Sequence, residues 1–282
     1  MTHFILTRFN LKLWTQDKNR VSVQTKDWLQ KRFDLFERYC FPSIINQTEQ
    51  NFSWICLFDI DTPPSFKIRI AEYTKQCPNF QPYFLNEEET VNYLDYFKNR
   101  IKERGGVDGN TIITTYLDND DCLRCDYIES VQKLAQTEPH NTIISFEYGL
   151  QYFIDLNLVT HIPYPNNHFL TLIEAADNTD IKTVWSINHY YLSSYHQNYN
   201  IRKINNGKEM WIEVIHNNNV DNDVKLTLKC YPILSPHYLH AYGLNIIIKP
   251  IHSIIVFAFR FCPRFVRQII RRLKDKFKNN VH

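Results

Sequence analysis

The chain has 282 residues, 44% hydrophobic and 15% aromatic, which excludes a disordered polypeptide and supplies apolar surface for one sizeable core. Seven scattered cysteines form no disulfide framework and no basic-then-apolar leader opens the chain, so a reducing, cytoplasmic setting is expected. The net charge of +2 is uneven: from Arg260 onward eight lysines and arginines face Asp275 alone, a tail of +7 on a body of −5, and an acidic body argues against a nucleic-acid groove, which needs clustered basic groups.

Residues 3–10 form an apolar run with a polar end, the pattern of a buried strand delivering a polar tip at its carboxyl end. Leu29, Phe33, Phe36 and Cys40 recur at helical spacing behind a candidate Thr25 cap, and Pro42 marks the expected end. A buried strand over 54–58, a helix over 65–76 and a short strand over 80–85 follow. Asn86 then caps a helix that opens on Glu87, Glu88 and Glu89 and closes on Arg100, Lys102 and Arg104, charges that complement the helix dipole. After Gly105 and Gly106, a β-branched run over 111–117 stops at Asp118-Asn119-Asp120-Asp121. A helix with Leu123, Tyr127, Val131 and Leu134 on one face is expected directly behind. Further strands are expected around 142–148 and 211–215, and a loop over the Asn-rich stretch 217–222. Repeated strand–helix alternation predicts an α/β sandwich with a mostly parallel sheet, whose ligands bind outside the carboxyl ends of its strands.

The acidic quartet is the sharpest feature. Three carboxylates within four positions are costly unless solvated, paired or coordinated, and a hard divalent cation bridging to phosphate uses one or two protein carboxylates plus substrate oxygens. The alternative is an acidic turn capping the next helix, with Asp121 as N-cap. Such a turn needs one Asp, whereas three stand here at a strand end.

The run His3-Phe4-Ile5-Leu6-Thr7-Arg8-Phe9-Asn10, then Trp28-Leu29, Arg32-Phe33, Phe41-Pro42-Ser43-Ile44 with Gln47, Asn51-Phe52-Ser53-Trp54, Phe58-Asp59 with Thr62-Pro63, and Leu117-Asp118-Asn119-Asp120-Asp121 together resemble the putative rhamnosyltransferase family of bacterial glycosyltransferases. The resemblance covers roughly residues 3–130 well and 140–220 loosely. It implies a GT-A-like nucleotide-binding α/β/α sandwich with a mixed, mostly parallel sheet, over residues 1–243, with a donor half to about 150, an acceptor half beyond it, and a tail over 244–282. It further implies a nucleoside-diphosphate-sugar donor, a glycan or lipid-linked glycan acceptor, and Mn²⁺ or Mg²⁺ on the quartet as an Asp-x-Asp site. Asp118, Asp120 and Asp121 are then the metal ligands, and His216 looks like the late histidine that completes such sites. Thr7, Arg8, Asp118 and Asn119 are the expected donor contacts; a guanidinium suits phosphate, with a surface salt bridge as the alternative for Arg8. Inverting transfer needs a carboxylate to take the acceptor proton, and Glu174 is the first candidate and Glu147 the second, although a carboxylate near a helix start is explained equally by the dipole. Rhamnose is the family's label, and no residue specifies it.

Two rivals use other features. Phe58-Asp59-Ile60-Asp61-Thr62 is similar to the nucleophile motif of haloacid-dehalogenase-like phosphatases, but the threonine comes one place early and Pro63-Pro64 follows. A non-catalytic sugar-nucleotide or glycan-binding protein would keep the fold without turnover. Cys122 and Cys125 have redox spacing but no second pair for zinc. In the tail, the apolar stretch 246–261 is too short and interrupted to span a bilayer; beyond it, Phe265, Ile269, Ile270, Leu273 and Phe277 share a helical face amid basic residues, which suits peripheral contact with an anionic membrane, here the inner face of the cytoplasmic membrane. A helix docked on the domain is the alternative.

Overall fold

The structure, a computed structural model, describes residues 1–13, 25–105, 111–176, 181–216 and 227–259, with positions 261, 263, 266 and 269 beyond them. The Asn-rich stretch 217–222 and Phe265, Ile270, Leu273 and Phe277 of the tail lie outside the described residues.

Strand β1 (Thr2–Arg8) leads to helix α1 (Lys26–Leu35), whose first turn is closed by Thr25 accepting from Trp28 N. The helix does not stop ahead of Pro42 as expected. A π-helical turn over Phe36–Cys40 carries it into α2 (Phe41–Ile45), where Pro42 stands in the first turn and its missing N–H is least felt. Next come β2 (Ser53–Asp59), α3 (Pro64–Gln76) and β3 (Phe80–Leu85). Asn86 caps α4 (Glu87–Val91) through a reciprocal box with Glu89, and α5 (Tyr93–Gly105) follows.

After β4 (Thr111–Tyr116) the expected helix starts later, because Cys122 and Leu123 form a short strand, β5, paired with Ile212 and Trp211. Helix α6 is Tyr127–Ala135, and Asp126 rather than Asp121 holds its N-cap position. The later strands are β6 (Thr142–Phe146), β7 (Tyr148–Phe153), β8 (Leu158–Pro163), β9 (Leu170–Ala175), β10 (Asn200–Ile204), β11 (Trp211–Ile215) and β12 (Tyr231–Pro232), with a short α7 (His237–His240).

Two sheets result. The first has the order β10-β6-β9-β4-β1-β2-β3, and β9 alone runs against its neighbours β4 and β6. This is the mixed, mostly parallel α/β sandwich expected. Both faces are covered, which is why its strands read as continuous apolar runs: Ile5, Trp54, Cys56 and Ile113 pack under α1, α3 and α6, while Phe4, Leu6, Ile55 and Ile112 face α5 and the segment around Val184 and Leu192. The second sheet, β12-β8-β7-β11-β5, packs Leu150, Val159, Ile212 and Val214 against Tyr39, Leu239 and Tyr242. Sheet membership does not follow a division near residue 150: β5 belongs to the second sheet, and β9 and β10 return to the first.

Candidate active site

From β1 the chain builds outward to β2 and β3 on one side, and β4 lies on the other. The carboxyl ends of β1 and β4 therefore flank the switch point where open α/β sheets bind ligands. Leu117 N still reaches Leu6 O at 3.3 Å before the chain enters the acidic quartet, so Arg8 and Asp118 emerge side by side.

The four quartet side chains do different work. Asp118 is partly exposed and accepts from Tyr116 Oη at 2.8 Å. Asn119 is buried; its Nδ2 donates to Phe9 O at 2.8 Å, and its Oδ1 accepts from the Arg32 guanidinium at 3.3 Å, tying this loop to the end of β1. Asp120, also buried, takes the Arg32 guanidinium and His216 Nε2 at 2.7 and 2.8 Å. Burial alone would raise its pKa, but the Arg32 charge and the His216 hydrogen bond hold its carboxyl well below the usual range. Asp121 is fully buried and accepts from Val214 N at 2.9 Å and from His168 Nε2 at 2.8 Å. Burial pushes Asp121 up, and although burial pulls His168 down, the Asp121 hydrogen bond carries it above an ordinary histidine.

Asp118, Asp121 and His168 each bring one ligand atom within 4.8 Å of the others. Two carboxylates and an imidazole at this spacing fit a small divalent cation and leave positions for phosphate oxygens. Of the four expected ligands, then, the structure brings Asp118 and Asp121 together with a histidine that had not been singled out, and pairs His216 with Asp120, which Arg32 also binds.

Arg8 is held against aromatic rings. Its guanidinium lies 4.1 Å from the Trp185 ring centroid and 5.1 Å from that of Tyr93, and donates to Tyr93 Oη at 3.3 Å. Trp185 packs on Tyr116, the donor to Asp118, at 4.3 Å. A fixed positive charge thus stands beside the carboxylates. Thr7 is fully buried and accepts from Trp54 Nε1 at 3.0 Å, so its hydroxyl braces two strands.

The two candidate bases lie at opposite ends of the sheet. Glu174 is on β9, not near a helix start, and is paired with Ile112 at the beginning of β4. Six residues of strand separate Ile112 from Asp118, about 20 Å at roughly 3.3 Å per residue. Its carboxylate accepts Lys182 N at 2.8 Å and Thr183 N at 3.0 Å, a buried brace remote from the quartet. Glu147 directly follows β6 at the carboxyl edge, with its side chain half-buried. Asp59 lies buried at the end of β2, bound to Lys12 at 3.0 Å and to Asp61 N at 2.8 Å. Cys122 is fully buried, which pushes its thiol up and makes it inert.

The family described as putative rhamnosyl transferase matches residues 5–227. No curated protein matches the chain. Two crystal structures of S. aureus TarS are similar in part. The first, of TarS 1-349, has a TM-score of 0.34 and 11% identity over 55% of this chain; the second has a TM-score of 0.42 and 10% identity over 76%. The chain spans 37% of the length of each.

Proposed function

This chain belongs to the putative rhamnosyl transferase family, and on that premise we propose that it moves a sugar from a nucleoside diphosphate to a polysaccharide or lipid-linked glycan acceptor, assisted by Mn²⁺ or Mg²⁺. Glycosyl transfer is the family's reaction class; the donor class, the metal and the acceptor go beyond it. The observation that carries it is the Asp118, Asp121 and His168 cluster at the switch point of the sheet. These three side chains would hold the cation, whose contribution is to offset the charge of the diphosphate leaving group.

The protein's own groups have separable tasks. Arg8, fixed between Trp185 and Tyr93, supplies a second positive charge for the diphosphate without the entropy loss of ordering a free side chain. Asp120, Arg32 and His216 anchor the quartet loop to α1 and β11. Glu147 stands at the same edge and takes the part of general base, a role that needs hydrogen-bond reach to the acceptor hydroxyl. Residues up to about 150 then supply most donor contacts, and the later strands the acceptor side.

The test is nucleoside-diphosphate release from a panel of nucleotide sugars, with and without Mn²⁺. Metal-dependent turnover is expected, falling about 100-fold or more in Asp118→Ala, at least the upper end of what losing a mere outer-shell partner of a metal ligand costs. Equal turnover without metal, or in the variant, would sink the metal role. Nucleotide binding without turnover of any donor would favour a binding protein instead.

A further inference from the structure

Residues 250–259 form a helix with two unlike sides. One is docked. Ser253 is fully buried, and Phe261, just past this stretch, is 1% exposed, stacking with Phe257 at 5.3 Å and Phe153 at 5.5 Å between ring centroids. His252 Nε2 donates to Leu156 O at 2.9 Å. The opposite side carries Ile251, 75% exposed, Ile254 and Ile255, both about half exposed, and Phe259, 83% exposed. Spacings of three and four residues place them on one stripe, which Val266 and Ile269, also exposed, continue. Among the described residues no helix is long and apolar enough to cross a membrane.

Charge identifies what covers it. Arg260, Arg264 and Arg267 fall between residues of the stripe in sequence, Arg271 and Arg272 follow it, and the segment from Arg260 onward carries +7. Two copies paired through helices that each lead into a +7 segment would meet like-charge repulsion, which opposes symmetric pairing. An apolar stripe flanked by arginines matches the acyl boundary and phosphates of an anionic bilayer. The position matters as well. Phe153 ends β7 opposite Ile215 of β11, and Ile215 packs into the Phe261 cluster. The next residue is His216, which binds Asp120, so the docked helix packs in one apolar cluster with the end of the strand that leads into the site.

We propose that this helix is an interfacial anchor that lays Ile251, Ile255 and Phe259 into an anionic lipid surface and holds the site at the membrane. The consequence rests on the glycosyltransferase reading: of the two acceptor classes, a lipid-linked glycan is the one such an anchor brings to the site.

Co-sedimentation of the full chain with phosphatidylcholine vesicles, with and without phosphatidylglycerol, tests the anchor without sugar donor or turnover, so its failure and that of the catalytic reading are distinguishable. Binding is expected to be about tenfold or more stronger on anionic vesicles and to weaken as salt shortens the screening length. The triple variant I251E/I255E/F259E should lose about tenfold or more, since it removes the apolar contribution. All three side chains are exposed, so the fold is kept, as circular dichroism would verify. Ile68→Glu, an exposed apolar site on α3, should bind as the parent does. Three outcomes would overturn the proposal: undiminished binding by the triple variant, equal binding to neutral and anionic vesicles, or a vesicle-free dimer that the triple variant dissolves.

Discussion

At the scale of single residues, the structure separates carboxylates that neighbour one another in sequence by what each faces. Asp120 is matched by Arg32 and His216, and so belongs to the frame; removing one partner of such a buried pair costs about 3–5 kcal/mol. Asp118, partly exposed, answers only to Tyr116 among the hydrogen bonds named above, and is the one poised for a ligand. A different buried group sets the acid limit of the fold. His3 is 1% exposed on β1, its Nε2 2.8 Å from Thr115 Oγ1, and burial lowers its pKa to about 3. Because the folded value lies below the ordinary 6.5, the unfolded chain binds the proton more tightly. The stability from keeping His3 neutral is complete above pH 6.5 and is lost as pH falls toward 3. By pH 5 that loss is about 2 kcal/mol. Urea unfolding at pH 7 and pH 5 should show His3→Phe, whatever its stability at pH 7, losing about 2 kcal/mol less than the parent over that interval. Equal losses would mean that His3 is protonated in the folded protein.

At the scale of elements, β11 and β7 join the site to the second sheet through one close approach. Gly149 on β7 lies under the Trp211 indole, and a Cβ there would stand 2.2 Å from ring carbon. Trp211 is itself fixed, stacked on Phe169 at 4.7 Å and donating from Nε1 to Phe146 O at 3.0 Å. Gly149→Ala should therefore destabilise the protein by about 3 kcal/mol or more, a cost of overpacking that no small shift relieves, readable as a lower urea midpoint at unchanged slope. The elements also show what was legible in the sequence. Parallel strands buried on both faces announce themselves as apolar runs, so the core of the first sheet, its caps at Thr25 and Asn86 and the quartet's place at a strand end could all be read. Direction could not. An apolar run looks alike either way; β9 is antiparallel, so His168, just ahead of it, reaches the carboxyl edge and Glu174 lies toward the other end. Two-residue β5 is too short for any periodicity, and its pairing with β11, 88 residues away at Trp211↔Leu123, is what displaced the expected helix start. The partners of Asp120 are likewise distant along the chain, at Arg32 and His216, and only packing brings them together.

At the scale of the whole molecule, the chain passes from the first sheet into β5 of the second, back to the first at β6, into the second for β7 and β8, back for β9 and β10, and again into the second for β11 and β12. The quartet sits on the first of these crossings, and both ends of the loop are bound by groups contributed later: His168, at the head of β9, and Val214 and His216, from β11, take up Asp121 and Asp120. Neither sheet can unfold without dissolving the site, and the donor and acceptor halves proposed here share strands rather than meeting at a seam. Heating should accordingly give one cooperative transition. Mn²⁺ with a nucleoside diphosphate, bound across that crossing, should move the whole transition. At a ligand concentration of about 100 times Kd, the linkage contributes roughly 2.7 kcal/mol, which for a chain of this size corresponds to a midpoint rise of about 5 °C or more. Calorimetry with metal alone, nucleotide alone and both together reads this directly, and Asp118→Ala should remove most of the joint shift while leaving the unliganded midpoint nearly unchanged, because Asp118 is partly exposed. Two separate transitions, with only one responding to the ligand, would show that the interleaved strands do not couple the sheets energetically and that the site belongs to one of them alone.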